Sequence, residues 1–246
     1  MANWSDPRTT AAPITRNRTT DMARDAGLRS YMLSVYNYMA SGVLLTGIVA
    51  LLFSWGGDTS PAAAVFYQPG LLKYLIIFSP LIFVMVLGFG INRLSTGAAQ
   101  GLFWAFAAIM GLSMSTIFLR YTGPSIALTF FATATAFLSL SLYGYTTKRD
   151  LTGFGTFLIM GVVGLIVASL LNLFFQSGMF SLVISAVGVL LFAGLTAYDT
   201  QRIKAMYFQV AGTDFAGKAV IMGALSLYLD FVNMFQFLLS FLGNRD

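Results

Sequence analysis

The sequence predicts an all-α integral membrane protein with seven transmembrane helices, and three observations carry that expectation. The chain is 57% hydrophobic and only 9% charged, with a mean hydropathy of +0.79, a composition foreign to soluble domains of this length. Its apolar runs are long enough to cross a hydrocarbon core of ~30 Å, which takes about 20 residues as a helix. The runs are also continuous. A bilayer-spanning backbone can satisfy its own hydrogen bonds only as helices or as a closed barrel, and a barrel would alternate with period two.

The elements follow in order. Residues 1–28 are polar and rich in Thr, Arg and Asp, and read as a disordered cytoplasmic tail. They lack the apolar h-region of a secretory signal, and Asp6, Asp21 and Asp25 argue against a transit peptide. Residues 29–246 read as the transmembrane domain. Span 1 covers about Tyr31–Trp55, and a Gly- and Pro-containing loop, Gly56–Gly70, leads to span 2, about Leu71–Ile91. Pro80 lies inside span 2 and is expected to kink it. Span 3 covers about Ala98–Leu119, and a turn at Arg120–Pro124 opens span 4, about Ser125–Tyr145. A charged loop with Lys148, Arg149 and Asp150 precedes span 5, about Thr156–Phe175. Span 6 covers about Met179–Asp199, with a helical continuation toward Phe208 permitted by the pattern, and span 7 covers about Ala219–Leu242. Gly97 and Gly101 form a GxxxG, and many other small residues dot the spans, as close helix packing requires.

Lys and Arg mark cytoplasmic loops in a membrane protein. With the N-terminus inside, eleven basic residues fall inside and three, Lys73, Arg120 and Arg245, fall outside. Seven crossings then put the C-terminus outside, unless span 7 dips in and returns. The net charge of +5 therefore reads as topology and not as nucleic-acid binding.

Absences narrow the chemistry. There is no Cys, His or Glu, so thiol catalysis, disulfides and imidazole relays are excluded. No HExxH, GxSxG or P-loop occurs. The chain reads as a non-enzyme with no tightly bound cofactor. Two acids lie inside apolar runs, Asp199 and Asp230. A charge at a helix centre costs about 2.5–3.5 kcal/mol on insertion scales, so each needs a partner, a proton or a function. Asp199 has a structural alternative, pairing with Arg202 three residues along the same helix. Asp230 lies about 18 Å along its helix from Lys218, near the midplane.

If span 6 ended at Asp199, that residue would sit at the interface with Asp230 too deep to meet it; if the helix runs on toward Phe208, the two approach. Two carboxylates in one desolvated site cannot both ionise cheaply and titrate as a pair. They would also offer hard oxygen ligands for weak Ca²⁺ binding, suited to a permeating ion. Arg93, at the end of span 2, is either a positive-inside loop residue or a cation that latches onto an aspartate. Asn172 and Asn233 are candidate cavity-lining residues, with interhelical hydrogen bonding as the alternative for Asn172.

Around Leu191-Phe-Ala-Gly-Leu-Thr-Ala-Tyr-Asp-Thr-Gln-Arg-Ile203 and Ala224-Leu-Ser-Leu-Tyr-Leu-Asp-Phe-Val-Asn233, the sequence resembles the bacterial form of the Bax inhibitor-1 family. Leu142-Tyr-Gly-Tyr-Thr-Thr-Lys-Arg-Asp-Leu151 also resembles the family's loop between spans 4 and 5. The resemblance covers about Tyr31 to Gly243. It implies a seven-helix fold with the last helix central, and a pH-sensitive calcium leak in a bacterial inner membrane. It places the pH sensor on Asp199 and Asp230 and the latch arginine on Arg93. The partners it implies are the lipid bilayer, Ca²⁺ and H⁺. The alternative is a membrane regulator that binds another membrane protein such as a protease.

Overall fold

The structure is a computed structural model that describes residues 14–244, with side-chain surroundings described from residue 22 onward. Among these residues the chain forms eight α-helices and no strand: α1 (Ile14–Phe53), the short α2 (Pro61–Phe66), α3 (Leu72–Gly90), α4 (Thr96–Met114), α5 (Gly123–Thr146), α6 (Thr152–Phe175), α7 (Gly178–Val210) and α8 (Ala216–Leu242). A 3-10 turn, Ser115–Ile117, lengthens α4. All but α2 are long and apolar enough to cross a membrane, so the seven-span, all-α integral membrane fold stands.

The helix starts are written in local chemistry. Ser60, Ser95 and Ser177 sit in extended conformation and accept hydrogen bonds from the amides of Ala63, Ala98 and Phe180. Each satisfies a donor that the first turn leaves unpaired. Pro124 stands in the first turn of α5, where its missing N–H costs nothing. Inside α3, Pro80 removes the amide that the Ile76 carbonyl would accept from. Ser79 Oγ donates to that carbonyl instead, at 3.1 Å, so the backbone group is satisfied within lipid.

Two expected boundaries move. Residues 1–13 of the expected disordered tail lie outside the described residues, but residues 14–28 are helical, as the start of α1. Packing accounts for its part nearest the span, residues 24–28. Leu28 is buried, the Arg24 guanidinium lies 4.7 Å from the Phe208 ring centroid, and the Tyr207 hydroxyl rests directly against Gly27. The expected loop Gly56–Gly70 also contains α2, nucleated by the Ser60–Pro61 start. The Gly97–Gly101 pair is not a packing face, since neither glycine has another residue's atoms near its Cβ position.

α8 is the central helix. It packs on α7, α1, α5 and α4, whereas α3 packs on α4 and α2, and α6 packs on α7. Tyr228 of α8 is fully buried. Its ring meets Phe103 and Phe106 of α4 edge-on, and its hydroxyl lies 2.6 Å from Thr46 Oγ1 of α1. Thr46 in turn donates to the Ala107 carbonyl at 2.8 Å, so one chain of hydrogen bonds joins α8, α1 and α4. On the other side Phe231 and Phe235 of α8 pack against Phe130 of α5.

α8 crosses the whole bundle and does not turn back. Gly217, at its start, abuts Thr96 at the start of α4. At its other end, the Asn244 carbonyl accepts from the Thr122 amide at 3.2 Å, and the Asn244 amide donates to Ser125 Oγ at 3.0 Å. Those partners open α5, at the opposite end of α4.

Candidate functional site: the α7–α8 seam

α7 is a single unbroken helix that starts apolar and ends polar. At 33 residues it is about 50 Å long, so it outruns a ~30 Å hydrocarbon core. It does not stop at Asp199 but continues to Val210, which carries Asp199 into the packed region. Two features of its polar half hold it there. Gln201 reads the backbone of the loop before α6, accepting from the Leu151 amide at 2.9 Å and donating to the Arg149 carbonyl at 2.8 Å. Lys204 donates to the Tyr145 carbonyl at 2.7 Å. Gly144 of α5 lies directly against the Ala197 carbonyl, a backbone approach that no Cβ permits.

The antiparallel register of α7 and α8 follows from three contacts. Ser185 Oγ lies 3.1 Å from Ser240 Oγ. Phe192 stacks on Phe237 at a centroid distance of 5.9 Å. Arg202 Nη2 donates to Ser226 Oγ at 3.3 Å. Along α8 these partners are spaced by three and four residues, with Asp230 and Asn233 completing the stripe 226, 230, 233, 237, 240. Such spacing keeps one helix face on the neighbour. In this register Asp230 faces Asp199, and Asp230 lies within electrostatic reach of both Asp199 and Arg202.

Both carboxylates are buried, at 9% exposure for Asp199 and 4% for Asp230. Asp199 Oδ1 is 3.7 Å from Arg202 Nε, and the arginine side chain is 45% exposed. Arg202 thus spans the seam, with Asp199 on its own helix and Ser226 on the next. Among the described residues Asp230 Oδ2 is buried with no hydrogen-bond partner. A buried acceptor left unpaired is costly, and a proton carried by the pair is the smallest partner that would satisfy it. Beside the pair, Thr200 is fully buried and lies 3.2 Å from Ser141 of α5.

The other candidates separate from this point. Asn172 stands at the end of α6, where Nδ2 donates to Ser181 Oγ at 2.7 Å and Oδ1 accepts from the Ser177 amide at 3.2 Å. It ties the α6–α7 turn, where Gln176 adopts a left-handed φ of 48°. Of the two readings of Asn172, these bonds match the interhelical one, and the residue stands one turn from the end of α6, at the far end of α7 from Asp199. Asn233 does share the stripe, half-buried, with Nδ2 donating to the Leu229 carbonyl at 2.7 Å. Arg93 is exposed in the α3–α4 link beside an open groove formed with Met85, Val86 and Phe89. In this conformation the ion pair described for Asp199 is with Arg202, and α3 packs chiefly on α4 and not on α7 or α8. Among the described residues no group of three acids could hold a metal ion.

Arg202 was read from sequence as a pairing alternative for Asp199, and the structure shows that pair; Ser226, Gln201 and Thr200 were not singled out. A signal existed for one of these three: Ser226 precedes Asp230 by four residues and so shares its helix face.

A seven-span helical bundle with two buried acids facing one another across its central seam defines a class of polytopic membrane protein with a charged centre. The comparisons with known proteins place it further. The family profile described as "Inhibitor of apoptosis-promoting Bax1" matches residues 28–246. A protein of Caulobacter vibrioides is 46% identical over 92% of this chain and 93% of its own. A Rickettsia prowazekii protein is 46% identical over 96% and 97%. The inner membrane protein YbhL of Escherichia coli K12 is 43% identical over 89% and 94%. The chain belongs to the Bax inhibitor-1 family.

Proposed function

We propose that the protein is a passive, pH-sensitive calcium leak in a bacterial inner membrane, with the N-terminus cytoplasmic, and that Asp199 and Asp230 are its sensor and part of its ion path. The observation that carries the reading is the convergence of two buried acids from adjacent helices, one of them with an unpaired carboxylate oxygen. With a proton on the pair, α7 and α8 are tied at mid-seam. With both carboxylates ionised, like charges in a poorly solvated site repel, and the seam is the element whose two arrangements the proton selects. Two acids without a third ligand suit an ion that passes and does not stay. The relative named an inner membrane protein supports the location, and the 11:3 distribution of basic residues supports the orientation.

Arg202, which holds Asp199 here, stabilises its charged form and so sets how readily the pair takes up a proton. Arg93 acts in this reading in another state, one in which α3 has shifted toward the seam. The test is Ca²⁺ influx into liposomes holding the purified protein between pH 6 and pH 8, as wild type, Asp199→Asn and Asp230→Asn. A pH-dependent flux that both variants flatten is the expected result. A wild-type flux whose pH response both variants keep would remove the aspartate pair from the mechanism. No flux above empty liposomes would instead favour a regulator that binds another membrane protein.

A further inference from the structure

The ring of helices around α8 has an open joint. α1 and α5 each pack on α8 but stay apart from one another. Between them lies a cleft of about 690 Å³, open to the side of the bundle, with Phe231 of α8 as its floor. Its walls are apolar for most of their length, with Met32, Met39 and Val43 on α1 facing Ala134, Phe137 and Leu138 on α5. It runs on into a smaller pocket of about 90 Å³ that shares Val43, Phe130 and Phe231.

One end of the cleft is different. Arg29 lines it from α1 and Tyr145 lines it from α5. Lys204 of α7 sits on Tyr145, donating to its carbonyl at 2.7 Å with Nζ 4.7 Å from its ring centroid. That carbonyl takes one of the three donors of the ammonium. The residues lining the cleft include Arg29 and no acid, while Asp25 lines an outer groove with Arg29 along α1. The rim is therefore cationic, and the interior is greasy. From Arg29 to Val43 the cleft follows 14 residues of α1, about 21 Å, which runs from the interface to just past the middle of a ~30 Å core. That is the shape of one lipid in one leaflet.

We propose that the α1–α5 cleft is a binding site for an anionic phospholipid, with its phosphate at the rim flanked by Arg29 and Lys204 and an acyl chain along α1 to Phe231. Basic pockets between membrane helices take anionic headgroups in this way, and an arginine fork matches phosphate oxygens in pairs. A second copy of the chain fits the cleft less well. Side by side in one membrane, each copy would bring its own cationic rim to the same depth, and like charges across an interface oppose association.

The test uses the full-length protein in mild detergent, titrated with dioleoyl phosphatidylglycerol or dioleoyl phosphatidylcholine and read as bound lipid by native mass spectrometry. The expected result is that phosphatidylglycerol is retained at least threefold better than phosphatidylcholine. Arg29→Gln with Lys204→Gln should erase that preference, Arg29→Lys should keep most of it, and Ala134→Phe, which narrows the cleft, should lower retention of both lipids. The two rim changes lie at partly or fully exposed positions, so a folded variant is expected even if Ala134→Phe fails to fold. Equal retention of the two lipids by the wild type would overturn the proposal, as would an unchanged preference in the double variant. Because the chain has no cysteine, Leu138→Cys offers a clean second readout. Efficient disulfide dimers in membranes would show a second copy in the cleft and would also overturn it.

Discussion

α3 and α8 both read as apolar spans, yet they sit in opposite environments. The most apolar window of α3 has a hydropathy of 2.2 and is 11% buried inside the protein, while that of α8 has a hydropathy of 1.5 and is 50% buried. α6 repeats the α3 case, at 2.5 and 11%. In water, the more apolar helix goes to the core. In a bilayer, lipid tails are as apolar as leucine, so apolarity gives no reason to leave the lipid. The core helix is the one whose glycines, alanines, serines and polar side chains pack closely or find partners. α8 shows this in Gly223, Ala224, Ser226 and Asp230, which lie on or beside its packed faces.

That contrast predicts an order of mutational effects. The largest should come from Gly144→Val, where α5 rests on the Ala197 carbonyl of α7. The backbone cannot yield, so a loss of about 3 kcal/mol and poor recovery of folded protein are expected. Gly88→Val on α3, with open space at its Cβ position, should stay within about 0.5 kcal/mol. Thermal unfolding of both variants in detergent checks the pair, and equal losses would break the comparison. Next, Gln201→Ala should cost about 1–2 kcal/mol, because it removes two hydrogen bonds to the backbone around Arg149 and Leu151. Hydrogen exchange at the Leu151 amide should accelerate as well.

Arg202→Gln should cost less, about 0.5 kcal/mol, since its side chain is nearly half exposed and its pairing is screened. Its larger signature belongs to the proposed function. With the cation gone from beside Asp199, the pH response of calcium flux should move to higher pH, and an unmoved response would separate Arg202 from the sensor.

The smallest effect concerns Asp150, outside the spans. Its carboxylate accepts from the Thr152 hydroxyl at 2.6 Å and the Thr152 amide at 2.9 Å, and the hydroxyl first, then the amide, holds its pKa below the usual 3.8. A group with a depressed folded pKa stabilises the fold above its unfolded pKa and loses that contribution as pH falls through the folded value. Asp150→Asn should therefore lower the melting temperature slightly at pH 7, and the gap to wild type should close below pH 3.8.

Much of the fold was legible along the chain. Hydropathy set the spans to within a few residues for α3, α5 and α8, because transfer to lipid is a property of each residue in turn. The two membrane-embedded acids stood out for the same reason, as exceptions to the transfer rule. The helical conformation just before span 1 was not legible, since Arg24 and Gly27 pack against Phe208 and Tyr207, residues far away in sequence. The role of Asn172 stayed open between two readings: the end of α6 at Phe175 was legible, but the bonds to Ser177 and Ser181 across the turn depend on how α7 folds back.

By itself, then, the sequence determined seven apolar spans, the absence of thiol and imidazole chemistry, and two aspartates that need an explanation. Tertiary structure decided which helix is central, that α7 runs past Asp199, that Arg202 and not Arg93 holds that carboxylate, and that α1 and α5 leave a cleft. The physical reason is that burial in lipid is additive over residues and can be read locally. Register between helices depends instead on side chains from distant segments fitting together, as Ser185 with Ser240 and Arg202 with Ser226 do here.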